Sequence, residues 1–97
     1  MYARTGISHM KPGKMDEAIG LYRDSVVPLL KKQKGFKRLY FLTDRKTGKY
    51  VVITVWETEA DMTATESSGF LQEVIAKFGS LMAAPPTIER YEVGLQV

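Results

Sequence analysis

No cysteine occurs in the 97 residues, and histidine occurs once, as His9. The first absence excludes disulfides, thiolate nucleophiles, iron–sulfur clusters and cysteine zinc sites. The second excludes metal sites and acid–base mechanisms that need two imidazoles from one chain. Long apolar runs are missing too. The longest, such as residues 39–42 and 50–53, are four residues each, against about 20 for a membrane-crossing helix, so no membrane span is expected. The opening Met1-Tyr2-Ala3-Arg4-Thr5-Gly6 lacks the apolar core of a signal sequence, and a cytoplasmic location is the expectation. There is no G-x-S-x-G elbow and no P-loop, and Pro12-Gly13-Lys14 is too short to cradle a phosphate.

What is present is ordinary for a folded domain: 44% hydrophobic and 26% charged residues, which argues against disorder and coiled coil. The length allows one domain over residues 1–97. The net charge of +3 is mild. Much of the excess lies in Lys31, Lys32, Lys34, Lys37 and Arg38, where cations suit the negative end of a helix dipole.

Hydrophobic periodicity supplies the element order. Residues 2–10 read as a strand, and Lys11-Pro12-Gly13 as a turn. Met15, Ile19, Tyr22, Val26 and Leu29 lie on one face of a helix over 14–33, in which Pro28 should kink or break the chain near Val27 and Gly35 should stop it. Strands are expected over 36–43 and 50–57, joined by the polar loop 44–49. Thr58 with Asp61 looks like a helix start, predicting a short helix over 59–65. Ser67-Ser68-Gly69 interrupts it, and a second helical segment carries Phe70, Val74, Phe78 and Leu81. Residues 87–96 form the last strand. The order β-α-β-β-α-β is an α+β, ferredoxin-like arrangement: a four-stranded antiparallel sheet with two helices on one face.

The strands add a second layer of information. A sheet with one wet face alternates apolar and polar residues. The third strand instead has Val51, Ile53 and Val55 on one face and Tyr50, Val52, Thr54 and Trp56 on the other. The second has Leu39 and Phe41 on one face and Phe36, Tyr40 and Leu42 on the other. The chain's own helices can cover only one face. The other is expected to be covered by a second copy, sheet against sheet, in a two-fold homodimer.

Met10-Lys11-Pro12-Gly13-Lys14 after the first strand, Gly35-Phe36 opening the second, and Val55-Trp56-Glu57-Thr58 closing the third, continued by Glu59-Ala60-Asp61-Met62, resemble the antibiotic biosynthesis monooxygenase superfamily of dimeric α+β barrels. The resemblance implies a small aromatic substrate, quinol or anthrone-like, and dioxygen, with no metal or flavin cofactor. Enzymatic members often carry an asparagine where Val52 stands here. Haem-degrading members carry a histidine in the region of Glu66-Ser67-Ser68 and an asparagine where Arg4 stands, so the resemblance does not extend to haem degradation. The alternative is a non-catalytic dimer of the same fold that binds a small molecule.

Oxygenation without a cofactor needs a dry pocket, a proton acceptor and a group that stabilises the substrate anion. Trp56 is either a pocket wall or a core aromatic. Tyr22, in the middle of the first helix's stripe, either bonds core backbone or points into a cavity, and Tyr40 carries the same ambiguity. Phe70 joins these three as a substrate-contact candidate. Arg4 and His9 are the catalytic candidates. Arg4 would hold an anion or else pair with Glu89 or Glu92 on the last strand; His9 would act as a base or else sit exposed at a strand end. Strand alternation puts the two on opposite faces. Glu57, Glu59, Asp61 and Glu66 read as hairpin-end and helix-start charges. RNA recognition motifs share the element order, and residues 34–41 echo one of their signatures, but Lys37 and Arg38 replace a small residue and a stacking aromatic, and the segment opens the wrong strand. No nucleic-acid partner is expected.

Overall fold

The computed structural model describes residues 1–97. Its four strands are β1 (Tyr2–His9), β2 (Phe36–Asp44), β3 (Lys49–Trp56) and β4 (Thr87–Glu92). They form one antiparallel sheet in the order β2-β3-β1-β4. The ferredoxin-like α+β fold anticipated from the sequence is the one observed. No helix is long and apolar enough to cross a membrane.

The first helical region departs from a continuous helix with a kink. It is built from α1 (Met15–Leu21), a π-helical turn at Tyr22–Val26 and α2 (Val27–Leu30). Pro28 explains this. Its ring excludes the carbonyl one turn earlier from ordinary helical geometry. The chain answers by widening that turn, so that the Val27 N–H donates to the Tyr22 carbonyl. Pro28 then falls in the first turn of α2, where a missing N–H costs nothing. Met15, Ala18, Val26 and Leu30 are buried along this region. Past α2, Gly35 turns the chain at a φ of 80°.

Thr58 caps α3 (Glu59–Ser67) as anticipated: its Oγ1 accepts from the Asp61 N–H at 3.1 Å. The helix runs two residues beyond the expected end. Gly69, at a φ of 86°, separates it from α4 (Phe70–Lys77). Phe78 and Leu81 lie beyond α4 in turns, yet both are buried. The last strand ends at Glu92, four residues short of expectation; the Val93 N–H donates to the Met1 carbonyl, and no further ladder follows.

The sheet faces are now assigned. Tyr50, Val52, Thr54 and Trp56 of β3 are all buried, while the intervening Val51, Ile53 and Val55 are only half-buried. The first set packs under the helices. One correction concerns β2. The register slips between Phe36 and Arg38, a bulge that places Phe36 opposite Trp56. Phe36 therefore shares the helix-facing side with Leu39 and Phe41 rather than lying with Tyr40 and Leu42. The open face carries Tyr40, Leu42, Val51, Ile53, Val55, Ile7 and Tyr91, a largely apolar surface.

Candidate functional site

The helix-facing side of β1 presents Arg4, Gly6 and Ser8, opposite Thr54, Val52 and Tyr50 of β3 and, for the first two, Arg90 and Ile88 of β4. Gly6 leaves the middle of this floor without a side chain. Above it lies a cavity of about 60 Å³. Its walls are mostly apolar: Val26 and Leu30 from the first helical region, Phe70, Val74 and Ile75 from α4, and Phe78 beyond it. The Tyr22 ring stacks on Phe78 at 4.7 Å between centroids and meets the edge of Phe41 at 5.4 Å. Such aromatic pairs add stability beyond their buried area and keep a wall in one shape.

Arg4 stands at one end of this cavity, only 4% exposed. Its Nη1 donates to the Met62 carbonyl at 3.2 Å, to Thr65 Oγ1 at 2.9 Å and to Glu66 Oε2 at 3.2 Å. The guanidinium lies 5.6 Å from the centre of the Trp56 ring, within cation–π range. Burial lowers the Arg4 pKa, and the Glu66 hydrogen bond works against that shift. Glu66 is shared. Arg90 Nε donates to its Oε1 at 2.9 Å, and Arg90 Nη2 contacts the same oxygen. Hydrogen bonding from Arg90 first, and from Arg4 after the opposing effect of desolvation, holds the Glu66 carboxyl below the usual range. This bridge has a reason in the register. Arg4 and Arg90 are direct cross-strand partners, a like-charge pair that repels unless an anion sits between them.

Two phenols complete the polar content. Burial raises the Tyr22 hydroxyl's pKa strongly, and that of Tyr50 less. Both are therefore protonated donors at neutral pH. The Tyr50 hydroxyl lies 3.1 Å from the Met82 sulfur, at the end of the cavity that Met10 also lines.

The sequence candidates are thus distributed unevenly. Arg4, Tyr22 and Phe70 line the cavity. Trp56 does not. It is fully buried, packs edge-on against Phe36, donates from Nε1 to Thr54 Oγ1 at 3.0 Å, and supports Arg4 from behind. Tyr40 lies on the open face, 47% exposed. His9 is exposed at the end of β1 on that same face, as alternation requires. The Arg4 partner is corrected as well. Glu89 pairs with Thr5 and so faces the other way, Glu92 lies opposite Tyr2 at the end of the strand and makes no bond to Arg4, and the carboxylate that reaches Arg4 is Glu66 of α3. Glu66, Arg90 and Tyr50 escaped the sequence reading as site residues. For Glu66 a signal existed: it sits one helical turn after Met62 and beside Thr65, the two buried residues of α3.

Comparison with known proteins adds to this geometry. A family model described as antibiotic biosynthesis monooxygenase matches residues 1–77. An uncharacterised protein of Mycobacterium tuberculosis is 25% identical over 93 residues, which is 96% of this chain but 41% of that protein. The chain thus spans less than half the length of this curated relative. Among solved structures, a protein of unknown function from Nitrosomonas europaea superposes with a TM-score of 0.76 at 22% identity, covering 99% of this chain and 91% of the other. An MhuD variant crystallised with two manganese protoporphyrin IX molecules per active site superposes with a TM-score of 0.79 at 17% identity, covering 100% and 98%. At these identities the structures establish a shared fold.

Proposed function

Because this chain belongs to the antibiotic biosynthesis monooxygenase family, we propose that its cavity takes a small planar aromatic substrate of quinol or anthrone type and oxygenates it with dioxygen, without metal or flavin. The observation that carries this reading is the cavity itself: apolar, walled by the Tyr22–Phe78 stack, and lined by one charged group, Arg4. Apolar pockets with a few convergent polar groups are the usual form of small-molecule sites. For an anthrone the reaction balances without a reductant. One oxygen atom of dioxygen becomes the carbonyl that replaces the methylene hydrogens, and the other leaves with those hydrogens as water.

The cavity of about 60 Å³ is smaller than the ~150 Å³ that accepts benzene in an apolar core. Ring entry therefore requires the wall formed by α4 to move outward, and Gly69 at its start is the natural pivot. We further propose that a second copy covers the open sheet face, making the functional unit a two-fold homodimer.

A second reading, a dimer that binds such a molecule without turning it over, is favoured by one observation. The cavity lining includes no carboxylate and no imidazole to act as a base, and Val52 stands at the position where enzymatic members carry an asparagine. Titration with quinols, anthrones and flat polyphenols, followed by Trp56 fluorescence and by oxygen uptake, separates the readings. Saturable quenching with oxygen consumption supports the oxygenase; quenching without consumption supports the binding protein. No binding across the panel rejects both.

A further inference from the structure

We infer that Met82 is the gate of the cavity: it closes the end opposite Arg4, opens onto a surface groove beside residues 83–86, and sets the size of ring system that enters. This rests on the reading that the cavity receives an aromatic molecule, and it assigns the route and the residue that such a molecule must pass.

Two neighbouring spaces lead there. The apolar cavity above Gly6 holds about 60 Å³, and a groove of about 330 Å³ lies outside it, between α4 and the segment that follows. Ile75, Met82 and Pro86 line both. The partition is therefore one side chain thick. Ile75 belongs to α4, and the ring of Pro86 fixes its own backbone. Met82 is the unbranched member, with three rotatable side-chain bonds. Its backbone is held on both sides. The Leu81 carbonyl accepts from the Lys11 N–H at 2.8 Å, the Ala83 N–H donates to the His9 carbonyl at 2.8 Å, and the Ala84 carbonyl accepts from Ser8 Oγ at 2.7 Å. These bonds strap residues 81–84 to the end of β1 and leave the Met82 side chain as the part free to swing.

The two ends of the cavity differ in what opening costs. At the Arg4 end the guanidinium donates to three groups of α3, and Glu66 is tied to Arg90 as well. Opening there parts a buried ion pair and leaves its charges unmatched. At the other end, the one side-chain hydrogen bond on Met82 comes from the Tyr50 hydroxyl, 3.1 Å from Sδ. A thioether is a weak acceptor, so this end opens first. Tyr50 itself stays in place, because its ring stacks on Phe41 at 5.5 Å between centroids. Its hydroxyl is a light latch on a mobile side chain. Outward tilt of α4 about Gly69 acts at the same spot. Ile75 lies near the far end of that helix, where a pivot at the start gives the largest displacement. Once Met82 swings away, cavity and groove become one space. The width of the opening then decides which ring systems pass.

2-Naphthol and 2-anthrol test this with the full chain, because their emission shifts when they leave water and the second has one ring more. Stopped-flow mixing gives the association and dissociation rate constants of each. Tyr50→Phe keeps the stack on Phe41 and removes the latch. It should raise both rate constants by a similar factor, about three- to fivefold. That paired change marks a gate, whereas a lost wall contact changes the dissociation constant. Met82→Ala should speed the entry of 2-anthrol more than that of 2-naphthol. Ala83→Phe adds bulk to the groove from an exposed position that does not line the cavity, so it serves if either of the other variants fails to fold. It should slow the association of both probes severalfold. Binding with association rates unaltered in Met82→Ala and Ala83→Phe overturns the gate and leaves the aromatic cavity standing. A changed dissociation constant in Tyr50→Phe, with association unaltered, makes Tyr50 a wall and overturns the latch. No binding of either probe overturns both this inference and the reading beneath it.

Discussion

At the scale of single residues, the Arg4–Glu66–Arg90 bridge carries the clearest consequences. Glu66→Gln leaves two facing guanidiniums without an anion between them. Breaking a buried ion pair costs about 3–5 kcal/mol. Glu66 is partly open to solvent, so about 2 kcal/mol is the expected loss, measured by urea denaturation. The same carboxyl makes the protein acid-sensitive in a defined direction. Its pKa is depressed in the folded state, chiefly by the Arg90 hydrogen bond. The stabilisation it contributes is therefore fully present above the unfolded glutamate value of about 4.3 and is lost as pH falls through the lower folded value. Urea midpoints measured down this acid limb should fall for the natural chain and fall less steeply for Glu66→Gln. Trp56 makes a contrasting case. As a fully buried side chain that packs on Phe36 and supports Arg4, it is expected to lose about 3–5 kcal/mol on Trp56→Ala. That loss would show as unfolding in a thermal melt, not as a folded chain with an emptied pocket.

Elements are separated by glycines whose roles differ. Gly35 and Gly69 both adopt positive φ, a region that costs other residues about 1–2 kcal/mol. At Gly69 nothing lies within 4 Å of an added Cβ. Gly69→Ala should cost about 1 kcal/mol, from backbone conformation alone. At Gly35 an added Cβ would collide with the Asp61 carboxylate and its Cβ, at 2.6–2.7 Å from the carbons. The Gly35 carbonyl also accepts from the Glu57 N–H at 2.8 Å, so the turn is tied to the end of β3, just before α3, and cannot drift away without losing that bond. Gly35→Ala should be the more damaging of the two by at least about 1 kcal/mol, and side-by-side urea midpoints would decide it. The π-helical turn belongs at this scale as well. Pro28 is a local signal for a break, and the break takes the form of a wider turn that keeps Tyr22 pointing into the cavity.

For the whole molecule, the open sheet face is the dominant feature. Tyr40, Leu42 and Tyr91 are each about half exposed on it, around a centre of Val51, Ile53 and Val55. Monomers rarely leave an apolar surface of this extent uncovered. Ile53→Lys places a charge at the middle of that face while leaving the helix-facing core untouched. Under the proposed two-fold assembly, light scattering should report dimer mass for the natural chain and monomer mass for this variant. A dimer mass for both would put the interface elsewhere.

The element order, the Thr58 cap, the break at Gly69 and the double-sided apolarity of β3 are all legible in the chain before it folds. Each is written in residues a few positions apart, at the periods of a strand or a helix. Even the opposition of Arg4 and His9 follows from alternation along one strand. Tertiary structure decided what those periods leave open. The bulge after Phe36 moved that ring to the helix side, and bulges depend on the partner strand. The register of β4 set Arg90 beside Arg4 and turned Glu89 away. Docking of α3 then brought Glu66 across to both arginines, 62 residues along the chain from Arg4. Trp56 went beneath Arg4, outside the cavity, and Tyr22 into the cavity wall for the same reason: which side of a packed layer a ring occupies is settled by what packs against it, and those partners are distant in sequence.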